Sequence, residues 1–216
     1  LLYLATSAIN APKNSDGQYT FLNIAYAQYV KGDIDLTTRV KIDSRNSIVM
    51  HMGLGIAYPY GNSRILPFEK RYFSGGANGM RGWTVRTLGP GSYKSKGSNI
   101  DFINQSGDMK LDLNVEYRSH LFWRLHSAVF VDAGNIWTLR SYKEQPGGQF
   151  AFGRFYKELA FSYGLGVRLE LDMFVFRLDA AMKAVNPAYS GKDKYPIINP
   201  NFGRDFALHF AIGHPF

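Results

Sequence analysis

The chain has 216 residues, with 25 Lys and Arg against 17 Asp and Glu (formal net charge +8), no Cys, 22 Gly, 16 Phe, 14 Tyr and 3 Trp. That length supports one domain with a real core, and the lack of Cys removes disulfide scaffolds, thiolate metal sites and cysteine nucleophiles together. Mean hydropathy is −0.21, and no apolar run approaches the roughly 18 residues of a membrane-spanning helix, which excludes a helical membrane protein but not a β-barrel, whose signal is alternation.

Taken in chain order, period two recurs. Residues 1–9 are a weak strand candidate. Over 28–42, Val30, Ile34, Leu36, Val40 and Ile42 alternate with Lys31, Asp33, Asp35, Arg39 and Lys41. Over 47–58, Ile48, Met50, Met52, Leu54, Ile56 and Tyr58 oppose His51, Gly53, Gly55 and Ala57. Residues 110–118 set Leu111, Leu113, Val115 and Tyr117 against Lys110, Asp112, Asn114, Glu116 and Arg118. Residues 125–137 keep Val129, Val131 and Ala133 in phase. Residues 159–171 hold seven apolar positions in phase against Ala160, Ser162, Gly164, Gly166, Arg168 and Glu170, and 174–183, with Arg177 inward like Arg168, and 206–212 repeat the pattern. This makes about eight strands and no long amphipathic helix.

The connections alternate: 43–46 short, 59–106 long, 119–124 short, 138–158 long, 172–173 minimal, 184–204 long. Short turns at one end and long loops at the other are the signature of a transmembrane β-barrel. Trp123 and Trp137, at opposite ends of one strand, are expected in two aromatic girdles. A soluble sandwich has no reason to gather its long loops at one end.

The densest motif is FEKRYFSGGANGMRGW, from Phe68 to Trp83. Its glycines suggest a phosphate cradle, but no Gly-Lys-Ser/Thr follows, so a nucleotide site is not expected. Tyr72, Phe73, Met80 and Trp83 are too apolar for a solvated loop, so the loop is expected to pack in the lumen. The five His show no HExxH pairing, so no metal is expected, and His51 and His209 fall on polar faces as lumen hydrogen bonders. Ser119, His120, His126 and Ser127 bracket a turn without an orienting acid, so no catalytic residue is assigned and no enzyme is expected. Lys94, Lys96, Lys143, Arg154, Lys192 and Lys194 lie in long loops, as solvated charge or as contacts for lipid phosphates. With no basic helix, nucleic-acid binding is not expected.

The Phe68–Trp83 run resembles the lumen loop of the BamA/TamA superfamily of outer-membrane assembly factors. The family's Val-Arg-Gly-Phe/Tyr motif reads MRGW here, Met80 to Trp83, followed by RTLGPGSY. The family's Phe-x-Asp-x-Gly reads FVDAG, Phe130 to Gly134, and its acidic residue on the neighbouring strand is matched by Glu116 in NVEYR. The chain closes on Phe216, as the family's recognition signal requires. The resemblance covers nearly the whole chain, with Met80 and Trp83 departing from the commoner residues.

The resemblance implies an all-β antiparallel transmembrane barrel, residues 1–216 being the C-terminal part, about eight of sixteen strands. It implies a bacterial outer-membrane location with long loops external and the C-terminus periplasmic. The implied function is assembly of outer-membrane β-barrel proteins, with no cofactor and no covalent chemistry. The implied partners are outer-membrane lipids, nascent barrel proteins and periplasmic or lipoprotein subunits. Two-partner-secretion transport and a passive pore or surface antigen are the alternatives. Independently, an eight-stranded barrel is filled by side chains alone, so either the 59–106 loop stays outside or the native barrel is larger.

Parity puts Asp132 on the face of Phe130 and Gly134, and Glu116 on the face of Lys110, Asp112, Asn114 and Arg118, so both acids point into the lumen. Their numbers are symmetric about Arg124, which sets them side by side in a hairpin turning there. Two adjacent carboxylates need a cation. Lys110 and Arg118 are local candidates; Arg81, flanked by Gly79 and Gly82, forks two carboxylates at once. The expected latch is therefore Arg81, Gly82, Glu116, Phe130, Asp132 and Gly134, with Met80 and Trp83 packing the loop. The last strand, with Phe206, Leu208, Phe210 and Ile212 in phase and Phe216 closing it, is expected to be a seam and the chain's own assembly signal.

Overall fold

The computed structural model describes residues 12–15, 17–22, 24–95 and 103–216. A small hairpin, β1 (Thr20–Phe21) with β2 (Ile24–Ala25), precedes one seven-stranded antiparallel sheet. Its strands are β3 (Tyr29–Lys41), β4 (Asn46–Pro59), β5 (Met109–Phe122), β6 (Leu125–Trp137), β7 (Ala160–Glu170), β8 (Val175–Val185) and β9 (Phe206–Ile212), paired strictly in chain order. A single helical turn, α1 (Phe202–Asp205), leads into β9. The seven strands fall where alternation predicts them. The residue 1–9 candidate lies outside the described residues, and the β1–β2 hairpin has no periodicity long enough to announce it.

The short turns have local causes. Between β3 and β4, the Asp43 carboxylate accepts the amides of Arg45 and Asn46 at 2.7 and 2.8 Å, an Asx turn that fixes the hairpin. Between β5 and β6, Trp123 takes a left-handed conformation (φ 50°), so the strands run to Phe122 and Leu125 and the turn is shorter than alternation alone suggests. Between β7 and β8, Leu171 donates its amide to Phe174.

The faces are inverted relative to a soluble protein. Val30, Ile34, Leu36, Val115, Val129, Val131, Leu165, Leu178, Leu208 and Phe210 are all exposed on the outer face. Asn114, Glu116, Asp132, Ser162, Arg168, Arg177 and Asp179 are buried on the inner one. Exposed apolar patches of this extent mark an interface with something apolar. Together with a polar interior and loops gathered at one end, they make the sheet a wall of a transmembrane barrel. No described helix is long and apolar enough to cross a membrane.

Among the described residues, the first long loop contributes Leu66, Tyr72, Met80, Trp83, Leu88 and Tyr93 to the buried apolar side chains. Met80, Trp83 and Leu88 pack on Ala160, and Leu66 and Tyr72 pack with Ala57 and Ile136. Between residues 66 and 88 the loop packs against the inner face of the sheet. Trp137 departs from expectation: it is fully buried rather than in a girdle. The 138–159 loop folds over it, bringing Phe150 and Phe155 edge-on and Glu158 to its indole N–H at 2.8 Å. Trp123, at the turn, is exposed.

Candidate functional site

The site is where the loop tip meets the inner face of β5–β8. Arg81, on the loop, is completely buried. Its Nε and Nη2 donate to the two oxygens of Asp132 at 2.9 and 2.7 Å, a bidentate fork, and its backbone amide donates to Asp132 Oδ2 at 3.1 Å. Its Nη1 donates to Glu116 Oε2. The guanidinium carbon lies 3.4 Å from the centroid of the Phe130 ring.

Glu116 is the hub of a wider network. Oε2 also accepts Arg168 Nη2 at 3.0 Å, and Oε1 accepts Arg118 Nε at 2.7 Å. Arg168 Nη1 reaches Asp179 at 2.7 Å, and Arg177 Nε lies 3.4 Å from the same carboxylate. Three buried acids thus face four buried arginines. Charges removed from water are tolerable only when paired and hydrogen-bonded; this network is why a polar interior holds a defined geometry.

Small residues allow the close approach. A Cβ on Gly82 would lie 2.5 Å from Ser162 Cβ, and the Gly82 amide donates to Ser162 Oγ at 3.2 Å. Gly164 stands opposite Phe130 on β7, and a Cβ there would run into the Phe130 ring. A Cβ on Gly134 would run into β5 backbone at Leu111 and Asp112. Asn114 Nδ2 donates to both Gly79 O and Asp132 Oδ1 at 2.9 Å. His209 Nε2, on β9, meets Arg81 O at 2.8 Å. Tyr72 anchors the loop stem by donating to Asp33 at 2.6 Å; burial, and then Asp33, push its hydroxyl up, keeping it a donor.

The register corrects one expectation. Glu116 pairs with Phe130 and Asp132 with Asn114, so the two acids are diagonal rather than side by side. The hairpin turns on Trp123–Arg124 rather than on Arg124 alone, and a bulge between His120 and Phe122 shifts the register by one more residue, so the pairing lies two residues from the symmetric one. An even shift preserves the face, so both acids still point inward. A second correction concerns the C-terminus: β9 ends at Ile212, Gly213 turns with φ 92°, and Phe216 folds inward to stack on His51 at 5.1 Å. Phe206, Leu208, Phe210 and Ile212 do share the outer, exposed face.

Residues 14–216 match the Omp85 superfamily domain. The chain belongs to the Omp85 superfamily. This Omp85 chain is 25% identical over 122 residues, 54% of its length, to outer membrane protein assembly factor BamA of Neisseria meningitidis serogroup B, of which it spans 15%. Its fold resembles the crystal structure of BamA from Haemophilus ducreyi lacking POTRA domains 1–3 (TM-score 0.59, 16% identity), with 96% of this chain and 45% of that one covered. It also resembles CdiB from Acinetobacter baumannii (TM-score 0.50, 16% identity; 86% of this chain, 27% of that one). The chain therefore spans less than half the length of these relatives, and it is a wall segment of an outer-membrane β-barrel.

Sequence reasoning missed several members of this side-chain network. Arg168 and Arg177 were legible as inward by parity but not as partners of Glu116 and Asp179. Those pairings cross β7 and β8, and no local spacing encodes them. Asn114 and Ser162 share the inward phase, which was the available signal. Among the described residues, no group of His, Asp or Glu is arranged to hold a metal ion.

Proposed function

We propose that this chain is the C-terminal part of the barrel of an outer-membrane assembly factor that inserts nascent β-barrel proteins without covalent chemistry. The observation that carries the reading is the buried Arg81 fork, which ties the in-folded loop to the wall next to the last strand, β9, whose His209 meets Arg81 O. An unpaired strand edge in lipid is costly, several kcal/mol per unsatisfied group. A seam bordered by β9 uses that cost to template an incoming strand. The latch residues hold the wall in shape while the seam opens. In this reading the short turns and C-terminus are periplasmic and the long loops external. Lipids, nascent barrel proteins and periplasmic or lipoprotein subunits are the partners. The name of the Neisseria relative supports the assembly reading.

The test uses the full-length protein in lipid vesicles with an unfolded barrel client. Arg81→Ala protein that is itself folded should give a lower yield of folded client. An equal yield refutes the reading. A second reading is polypeptide transport through the lumen; the likeness to CdiB is one of fold. Client recovered inside the vesicles rather than in their membrane favours that one.

A further inference from the structure

At the turn end of the sheet, below the Glu116 network, lies a cavity of about 310 Å³. Five cations line it: Arg39 and Lys41 of β3, Arg45 of the first turn, Arg118 of β5 and Arg168 of β7. Two carboxylates share the wall, against those five cations. Asp43 caps its own turn through Arg45 and Asn46, and Glu170 sits 3.4 Å from His126 and 3.7 Å from His214. Glu116, behind the wall, is bound to Arg81, Arg118 and Arg168. The remaining titratable groups are His120, His126 and His214.

The charge excess coincides with unmet donors. The Arg118 side chain is 9% exposed and Arg168 is fully buried, yet Arg118 Nη2 and Arg168 Nε have no protein acceptor. A buried donor without an acceptor is destabilising, and guanidinium N–H groups match the oxygens of a tetrahedral oxyanion. Arg39, Lys41, Arg118 and Arg168 alternate with the outward Val40, Tyr117 and Val167, so the cations face the lumen rather than lipid.

We propose that this cavity binds a phosphate-class oxyanion, free or carried on a headgroup, through Arg118, Arg168, Lys41, Arg39 and Arg45. His214 makes the site pH-responsive. Burial, and then Arg118, hold His214 below the usual imidazole range, so the imidazole gains its charge only as the solution acidifies, adding to the attraction.

The test is calorimetric titration of the full-length protein in zwitterionic detergent at low ionic strength. Sulfate is the probe, because its charge does not change between about pH 8 and about pH 5.5, where histidine titrates. Saturable binding is expected, about tenfold tighter at the acid end, and weakened about tenfold by Lys41→Gln or Arg45→Gln. Arg118→Gln should weaken it further, but the lysine and turn variants leave the Glu116 network intact and keep the test clean if that variant misfolds. In phosphatidylcholine vesicles, sulfate affinity unchanged by added phosphatidylglycerol assigns the site to a free ion. Affinity that falls with phosphatidylglycerol assigns it to a headgroup. No saturable sulfate binding, or equal affinity in the wild type and both clean variants, overturns the proposal.

Discussion

Arg81 and Phe130 lie face to face, the guanidinium carbon 3.4 Å from the ring centroid, with the Asp132 carboxylate forking the same guanidinium edge-on. Planar charge, ring face and carboxylate pair together require arginine. Arg81→Ala leaves Asp132 and Glu116 without their shared cation, and breaking such a buried pair costs about 3–5 kcal/mol. The expected outcome is a loop released from the wall, read as new protease cleavage between residues 79 and 83 in the intact barrel. Arg81→Lys should restore only part of the protection, because an ammonium is a point charge without a fork or a plane. Full protection in Arg81→Ala would remove the latch.

The same contact depends on two absent side chains. Gly82 has no room for a Cβ beside Ser162, and Gly164 none beside the Phe130 ring. Gly82→Ala should push the loop off β7, and Gly164→Val should drive Phe130 into Arg81. Overpacking of this kind costs about 1–3 kcal/mol. Denaturation midpoints of the purified barrel should fall in both. The Gly82→Ala, Ser162→Gly double variant should recover most of the first loss, since it removes the colliding atom.

Strand phase was legible because one face meets an apolar surroundings and the other a polar lumen, so every strand carries its own parity. That parity put Glu116, Asp132, Arg168 and Arg177 inward without any fold. The pairing of Glu116 with Arg168, or of Arg81 O with His209, depends on how strands far apart in sequence curve round the loop, and period two is silent on curvature. The bulge near Leu121 and the burial of Trp137 under the 138–159 loop likewise follow from neighbours remote in sequence. Gly164 read only as a small inward residue; its purpose appears once Phe130 is set across from it.

Leu165 is 64% exposed at mid-strand on β7, between Val129 and Ala180. In a bilayer, Leu165→Arg should cost about 2–4 kcal/mol in urea titrations of the vesicle-embedded barrel. On a water-exposed surface the same change stays within about 0.5 kcal/mol, so a loss that small would place this face in water.

Asp205 anchors the entry to β9. It is fully buried, accepts Arg204 Nε and Nη2 at 2.9 Å each and the Asn201 amide at 3.1 Å. Burial raises its pKa, but the Arg204 and Asn201 hydrogen bonds outweigh that and hold the carboxyl below its usual range. A folded-state pKa below the unfolded one gives stability that is present above the ordinary carboxylate pKa of about 4 and lost as pH falls through the folded value. Hydrogen exchange at the Asn201 amide should therefore stay slow down to about pH 4 and accelerate only below it, after correction for intrinsic rates. Asp205→Asn should be fast at neutral pH and show no such step.

Glu116 and Asp132 carry unequal loads, and that inequality makes their substitutions separable. Glu116 receives Arg81, Arg118 and Arg168, so it holds the wall strands β5 and β7 as well as the loop. Asp132 receives only Arg81 among the arginines, but by both its side chain and its backbone amide, and it is steadied by Asn114. Glu116→Gln leaves four buried arginines facing two acids; three of the four lie on the wall whatever the loop does. Asp132→Asn leaves the wall pairs Arg168–Asp179 and Arg118–Glu116 in place. The expected result is a crossover. Glu116→Gln should lower the global unfolding midpoint more, by an amount in the 3–5 kcal/mol range of a broken buried pair. Asp132→Asn should open the loop to protease more while moving the midpoint less. In Glu116→Gln, adding Arg168→Met should recover part of the midpoint, because it removes a buried charge left without one of its acids. If the two acid variants instead move both readouts by the same proportion, loop and wall are a single cooperative unit, and the separation of latch from scaffold is refuted.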